Sequence, residues 1–353
     1  MSQAQLRYSR DELLQSHSYA APHIEHNQTL HGGLDASGAY IPPRSSVRQA
    51  ALQAWTADLQ ARGGNLFDAD ASLLTGPQLP TVDQQRYLLR QGITTPFYSS
   101  LTITGKIEGR GRLLADMDFP DLQDIIVEDI SQMALGHLRN GLLYAHGIDE
   151  GGEPDRGIGG HDVMWFVARD LVFEPGSHAD VEPPENIARP ETGRLIPEIN
   201  SRYEGYLSLL MNLLIIEFRA EIGFANTQAI LRTADLFTDR RAAAERAADI
   251  VGRIRLDEEI HVRSLRLYLG ELRELTIRTD SGDTLPGATL IDRFWQGLVR
   301  WATVEQPFLA AQAQRETIHH HIQQQVSTQP DAERISQHFD ELADPQLLRA
   351  SAG

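Results

Sequence analysis

Leu256-Asp257-Glu258-Glu259-Ile260-His261 is the stretch that decides how this chain is read. It lies inside a helical periodicity whose apolar face runs Val251, Ile254, Glu258, His261, Leu265, Tyr268 and Leu272. Arg253, Arg255, Asp257, Glu259, Arg263 and Arg266 point elsewhere. Two ionisable side chains therefore interrupt a stripe that ought to be buried. Buried charge is costly without a partner, and a metal ion is the usual shared partner of Glu and His. At i and i+3 the two side chains project side by side, as in Glu-x-x-His ligand pairs of bundle cores.

The helix before it repeats the pattern. From about Pro197 to Leu231 the chain reads as one long apolar helix, with a stripe through Tyr203, Leu207, Leu210, Leu214, Glu217, Glu221, Phe224, Gln228 and Leu231. Glu217 and Glu221 lie one turn apart on that face, and Arg219 falls on the opposite side, where it cannot be their local partner. Adjacent carboxylates in apolar surroundings repel, and a proton or a cation relieves them. A turn near Thr233 to Arg241 brings the next helix back antiparallel, so both sets of acids can meet at one height.

Glu on one long helix followed by Asp-Glu-x-x-His on the next resembles the second half of the ferritin-like di-iron carboxylate superfamily. Its members include ribonucleotide reductase small subunits, acyl desaturases and arylamine N-oxygenases. The resemblance covers about residues 197 to 275. It implies that Glu258 bridges or chelates metal and that His261 is a terminal ligand. It implies further that Glu217 or Glu221 comes from the neighbouring helix, and that Asp257 orients a histidine ligand from behind. The competing account is that these acids pair with some of the chain's many arginines.

A full site of that kind needs another Glu helix and another Glu-x-x-His upstream, and no Glu-x-x-His exists there. The best upstream helix is predicted from Asp121 to about His146, with Glu128 on a stripe with Ile125, Leu135 and Leu142. His137 shares the adjoining stripe with Ile126, Ile130, Met133 and Tyr144. Glu128 and His137 would sit ~13 Å apart along a helix, too far for one ion. Where the family has a histidine after Glu128, this chain has Ser131. His161, in Gly159-Gly160-His161-Asp162, opens the apolar segment Val163 to Phe173 and is the second upstream candidate; the alternative is that His161 or Asp162 caps a helix. His137 also reads as a hydrogen-bonded core histidine, and His146 as a partner of a helix C-terminal dipole. The expected ligand set is Glu217, Glu221, Glu258 and His261, with Glu128, His161 and His137 competing for the remaining places.

Elsewhere the chemistry is thin. Glu316-Thr317-Ile318-His319 is another Glu-x-x-His, in surroundings that read as a solvated helix end, and Glu305 is a weaker buried-acid candidate. There is no Gly-x-Gly-x-x-Gly after a strand, no Walker loop and no nucleophile elbow. A formal charge of −17 argues against nucleic acid as a partner, since phosphates need a basic face. No membrane span or signal peptide is evident. With no cysteine among 353 residues, disulfides, zinc–thiolate sites and iron–sulfur clusters are excluded, which fits a cytoplasmic protein.

The expected architecture is an all-α, ferritin-like bundle of long antiparallel helices. Residues 1–80 form an irregular N-terminal arm wrapping a neighbour or subunit, 81–326 the bundle with its metal site, and 327–353 a C-terminal tail. Tyr98 to Ile107 reads as β-prone or irregular. The function implied by resemblance is an oxygen-dependent oxidoreductase (oxygenase, hydroxylase or oxidase) with a dinuclear iron centre; manganese or a single ion are the alternatives. Its partners would be a small organic substrate, O2 and an electron donor protein, in a homodimer. Two other classes stay open. One is a metal-dependent phosphohydrolase of the His-Asp type, built on His137, His161-Asp162 and a later Asp such as Asp257. The other is a non-catalytic helical scaffold.

Overall fold

Helices α1 (Arg10–Leu13) and α2 (Arg48–Ala61) flank an N-terminal segment of two small hairpins, β1 (His23–Glu25) with β2 (Gln28–Leu30) and β3 (Gly33–Leu34) with β4 (Tyr40–Ile41). Then follow α3 (Val82–Arg90), α4 (Thr95–Gly111), α5 (Leu113–Asp116), α6 (Ala134–His137), α7 (Leu143–Gly151) and α8 (His161–Val172). The two longest helices are α9 (Ser201–Leu231) and α10 (Arg241–Glu274). A hairpin of β5 (Thr276–Arg278) and β6 (Thr284–Pro286) leads into α11 (Gly287–Arg300), α12 (Gln306–Gln325) and α13 (Gln329–Glu341). This is an all-α helical bundle; the computed structural model describes residues 5–190, 193–345 and 347. No helix among the described residues is long and apolar enough to cross a membrane.

The helix starts are written in the chain. Thr81 and Gln84 close a capping box on α3, Pro96 sits in the first turn of α4, and Asn200 accepts from the Arg202 amide at the start of α9. The segment Tyr98 to Ile107, read from sequence as β-prone, is the middle of α4. Its threonine and isoleucine residues lower helix propensity only slightly, and packing of Phe97, Leu101 and Gly105 against α8 overrides them.

The predicted helix from Asp121 to His146 does not form as one piece. Residues 121–133 are turns and a short 3-10 segment, and α6 and α7 are joined by a π turn at Leu138–Leu142, where Gly141 takes φ 150°. Asn140-Gly141 breaks the helix and re-phases everything after it. Stripes extrapolated from Ile125 therefore do not apply to His146 and beyond.

α9 and α10 make the most extensive helix pair, and two apolar cores meet along them. On α10, Val251 and Ile254 belong to one core, and Leu265, Tyr268 and Leu272 to the other. On α9, Leu207, Leu210 and Leu214 lie in one and Phe224 and Ile230 in the other. The polar belt of Asp257, Glu258, His261 and Glu217 falls between the two cores.

The arm packs on its own bundle. β2 is joined to the loop before α8, where the His31 amide donates to Gly159 O at 2.9 Å and the Gly159 amide to Thr29 O at 2.8 Å. At the other end, α13 buries Ile335 and Phe339 in a small core with Leu88 of α3 and Ile318 and Ile322 of α12.

Candidate metal centre

Five helices deliver acids and histidines to the polar belt: Glu108 from α4, His146 and Glu150 from α7, His161 from α8, Glu217 from α9, and Glu258 and His261 from α10. All seven are buried. Two groups of four emerge, His146–Glu150–Glu217–His261 and Glu108–Glu150–His161–Glu258, each with one ligand atom per residue, all within 4.8 Å of one another.

Glu150 and Glu258 link the two groups. Glu150 sets Oε1 3.3 Å from His146 Nε2 and 3.2 Å from His261 Nδ1, and Oε2 3.5 Å from His161 Nδ1. Glu258 sets Oε2 2.8 Å from His261 Nδ1 and Oε1 3.1 Å from His161 Nδ1. Each carboxylate thus spans the centre with one oxygen on either side. Glu217 Oε1 lies 3.0 Å from His146 Nε2, and Glu108 Oε2 lies 3.4 Å from His161 Nδ1. The rings of His146 and His261 stack at 3.8 Å.

Three of these atoms, Glu108 Oε2, His146 Nε2 and His161 Nδ1, are buried without a hydrogen-bond partner. Native structures rarely leave buried polar atoms unpaired. Among the described residues no Lys or Arg stands within 4.0 Å of Glu108, Glu150, Glu217 or Glu258; their close cationic neighbours are histidines. Two divalent cations would balance the four carboxylates. The unpaired atoms and the donor set, carboxylate and imidazole without thiolate, fit a pair of such ions.

The electrostatics agree. Burial pushes Glu108 and Glu217 well above the usual carboxylate range, helped by Glu150 and Glu258 respectively. Burial pushes Glu150 and Glu258 the same way, but the neighbouring histidines outweigh it and hold both low. His161 and His261 are raised: burial opposes their charge, and Glu258 foremost restores it. A proton at each of these places does the work a metal cation would take over.

Behind the candidate ligands stand two aspartates. Asp149 Oδ2 faces His261 Nε2 at 3.2 Å and accepts from Arg48 Nη2 at 2.6 Å, while Oδ1 accepts from Arg44 Nε at 2.9 Å and Nη2 at 2.5 Å. Asp257 Oδ2 faces His161 Nε2 at 3.2 Å and accepts from Tyr40 Oη at 2.9 Å, with His31 Nε2 at 3.4 Å. Each pair ties up Nε2 and turns Nδ1 toward the centre, the orientation a ligand histidine needs. The N-terminal arm supplies all the other side chains that hold these aspartates: His31, Tyr40, Arg44 and Arg48.

Two glycines make the approaches possible. A Cβ on Gly160 would lie 2.4 Å from Gly152 N and 2.7 Å from Asp149 O and Glu150 O, so only glycine lets the start of α8 seat His161 against the end of α7. Gly32, at φ +65°, lies under the Tyr40 ring, where a Cβ would be 2.2 Å from Oη.

Of the residues singled out from sequence, Glu217, Glu258, His261 and His161 come together here, and Asp257 backs His161. Three do not. Glu128 lies outside any helix and accepts from the Thr276 amide at 2.9 Å. His137 has both nitrogens engaged, Nδ1 with Met133 O at 2.7 Å and Nε2 with the Tyr8 amide at 3.1 Å, and packs on Trp55. Glu221 is exposed: its angular position on α9 is as read, but one turn beyond Glu217 it opens onto a surface groove with Arg255, Arg263 and Arg266. Glu305 is exposed as well, and His319 pairs with Asp340 at 3.1 Å. Glu108, His146 and Glu150 join the cluster and were not among the expected ligands. The signals were present in the Thr95-Pro96 helix start, in the Phe97, Leu101, Glu108 spacing, and in His146 and Glu150 at i and i+4 just before Gly151-Gly152.

A cavity of about 330 Å³ reaches the centre. Glu108, His146, Glu150, Glu217 and Glu258 form its inner wall; Leu114, Leu209, Leu213 and Ile216 make it apolar, and Leu113 and Met117 are exposed at its rim. Residues 185–187 of the long loop after α8 close one side.

Comparison with family models, with curated proteins and with solved structures found no match to this chain.

Proposed function

We propose that this chain is an oxygen-dependent oxidoreductase that holds two metal ions, iron by preference, between α4, α7, α8, α9 and α10. The observation that carries the reading is the paired span of Glu150 and Glu258, each with one oxygen beside His161 and the other beside His261. His146, Glu217 and His261 would hold one ion, and Glu108 and His161 the other, with Glu150 and Glu258 shared. Carboxylates and imidazoles suit iron or manganese, and iron bound there would supply the redox chemistry with O2.

The protein's own part is positioning. Asp149 and Asp257 fix the ring orientations of His261 and His161, and the arm residues fix the aspartates. Leu114, Leu209, Leu213 and Ile216 keep the approach dry and select a small, mainly apolar organic substrate. Glu108 and Glu217, which burial favours in the protonated form, would give up that proton to a metal ion held there, and both stand at the cavity wall.

The His-Asp phosphohydrolase reading finds less support. Asp162 turns its carboxylate back to the Val163 amide, and His137 is spent in the core. A scaffold held by acid–arginine pairs accounts for Asp149 but not for the four central carboxylates. The test is oxygen uptake by protein loaded anaerobically with Fe(II). Rapid uptake that is lost in Glu150→Ala supports the reading; iron-loaded wild type that does not consume O2 overturns it.

A further inference from the structure

Arg219 lies beside a cavity that holds no acid to pair with it. In a protein with 49 acidic and 32 basic residues, an arginine finds an acid easily, and Arg44, Arg48, Arg273, Arg293 and Arg315 all do. Arg219 has no carboxylate within 4.0 Å among the described residues. Its Nη1 donates to Ile187 O at 3.2 Å, and the guanidinium lies over the Trp301 ring, 5.0 Å from its centre. Its Nη2 is buried without a hydrogen-bond partner. Burial alone pulls the guanidinium down to about 10, with no nearby anion to restore it. An unpaired cation kept partly out of water is costly, and the missing partner is an anion.

Beside Arg219 lies a second cavity, of about 300 Å³, between residues 73–80, α9 and the π turn Trp301–Glu305 that joins α11 to α12. Arg219 is the one charged residue in its described lining. Leu74, Ile222 and Ala302 give it an apolar body, and Thr303 and Gln306 add polar groups. A lone guanidinium in the wall of a mostly apolar chamber matches a single carboxylate on a small apolar body. A phosphate dianion would want a second cation, and the lining has none.

We propose that this cavity is a binding site for a small organic monocarboxylate, held by the Arg219 side chain and distinct from the metal centre. It does not depend on the oxidoreductase reading.

The test is calorimetric titration of the full-length protein with benzoate, benzyl alcohol and inorganic phosphate. Saturable benzoate binding is expected, with benzyl alcohol and phosphate weaker. Arg219→Gln should weaken benzoate about tenfold or more while leaving bound metal unchanged. Ala310→Trp, which fills the chamber from α12 and leaves the arginine intact, should do the same and covers the case in which Arg219→Gln fails to fold. No benzoate binding by wild type, or equal binding by both variants, would overturn the site. Phosphate binding tighter than benzoate would overturn the ligand class.

Discussion

Asp149 Oδ2 and His261 Nε2 face each other at 3.2 Å across α7 and α10, so His261 can offer only Nδ1 to the centre. Arg44 and Arg48 hold that aspartate from the other side and keep it ionised against its burial. Asp149→Asn preserves the shape but loses the charge. It is expected to weaken metal binding by roughly 10–100-fold, the usual cost of losing a carboxylate behind a ligand histidine. Competition titration with a metal chelator measures this, and an unchanged affinity would deny Asp149 its role.

Gly160 lets α7 and α8 touch. Gly160→Ala must force its Cβ away from three backbone atoms, moving His161 from Glu150 and Glu258. The expected result is loss of bound metal together with a lower melting temperature. Gly205→Ala, exposed on α9 with nothing within 4 Å of the new Cβ, should instead stabilise by about 0.5–1 kcal/mol. Similar behaviour of the two variants would contradict the packing argument.

Glu271 sits on α10 outside the acid–histidine cluster and accepts from the Ala134 and Leu135 amides at the start of α6. Burial outweighs those bonds and raises its pKa to about 7. The folded state therefore holds this proton more tightly than the unfolded chain. The stability it contributes is complete below the unfolded value and is lost as pH rises through about 7, by on the order of 3 kcal/mol. Glu271→Gln should thus gain stability relative to wild type at pH 8.5 and little at pH 4.5. Denaturant titrations at the two pH values check it; an equal difference at both would be inconsistent with a raised Glu271.

Leu213 lines the cavity and is not a ligand. Leu213→Trp should leave metal content and substrate-free oxygen uptake close to wild type while blocking turnover of an apolar substrate. Loss of metal in this variant would mean that the wall and the ligands are one packing unit; unchanged turnover would place the substrate elsewhere.

The second half of the centre was legible because α9 and α10 are long, unbroken and strongly periodic, so an acid on their apolar faces stands out. The first half was not. Gly141 re-phases the path into α7, so a stripe drawn through Glu128 and His137 misses His146 and Glu150. Glu108 lay behind a threonine-rich run that local propensity reads as strand and tertiary packing makes helix. Glu221 shows the complementary limit: periodicity gives the angle around an axis, but not where along it the neighbouring helix leaves a groove. The arm's contribution could not be read at all, because Tyr40 and Asp257 are distant in sequence and meet only through the fold.

The central claim is a dinuclear centre shared by Glu150 and Glu258. The most direct test is elemental analysis after anaerobic Fe(II) reconstitution of wild type, Glu150→Ala and Glu128→Ala. Two irons per chain are expected in wild type, with their loss in Glu150→Ala and their retention in Glu128→Ala. Wild type that binds no iron, or Glu150→Ala that keeps both, would contradict it.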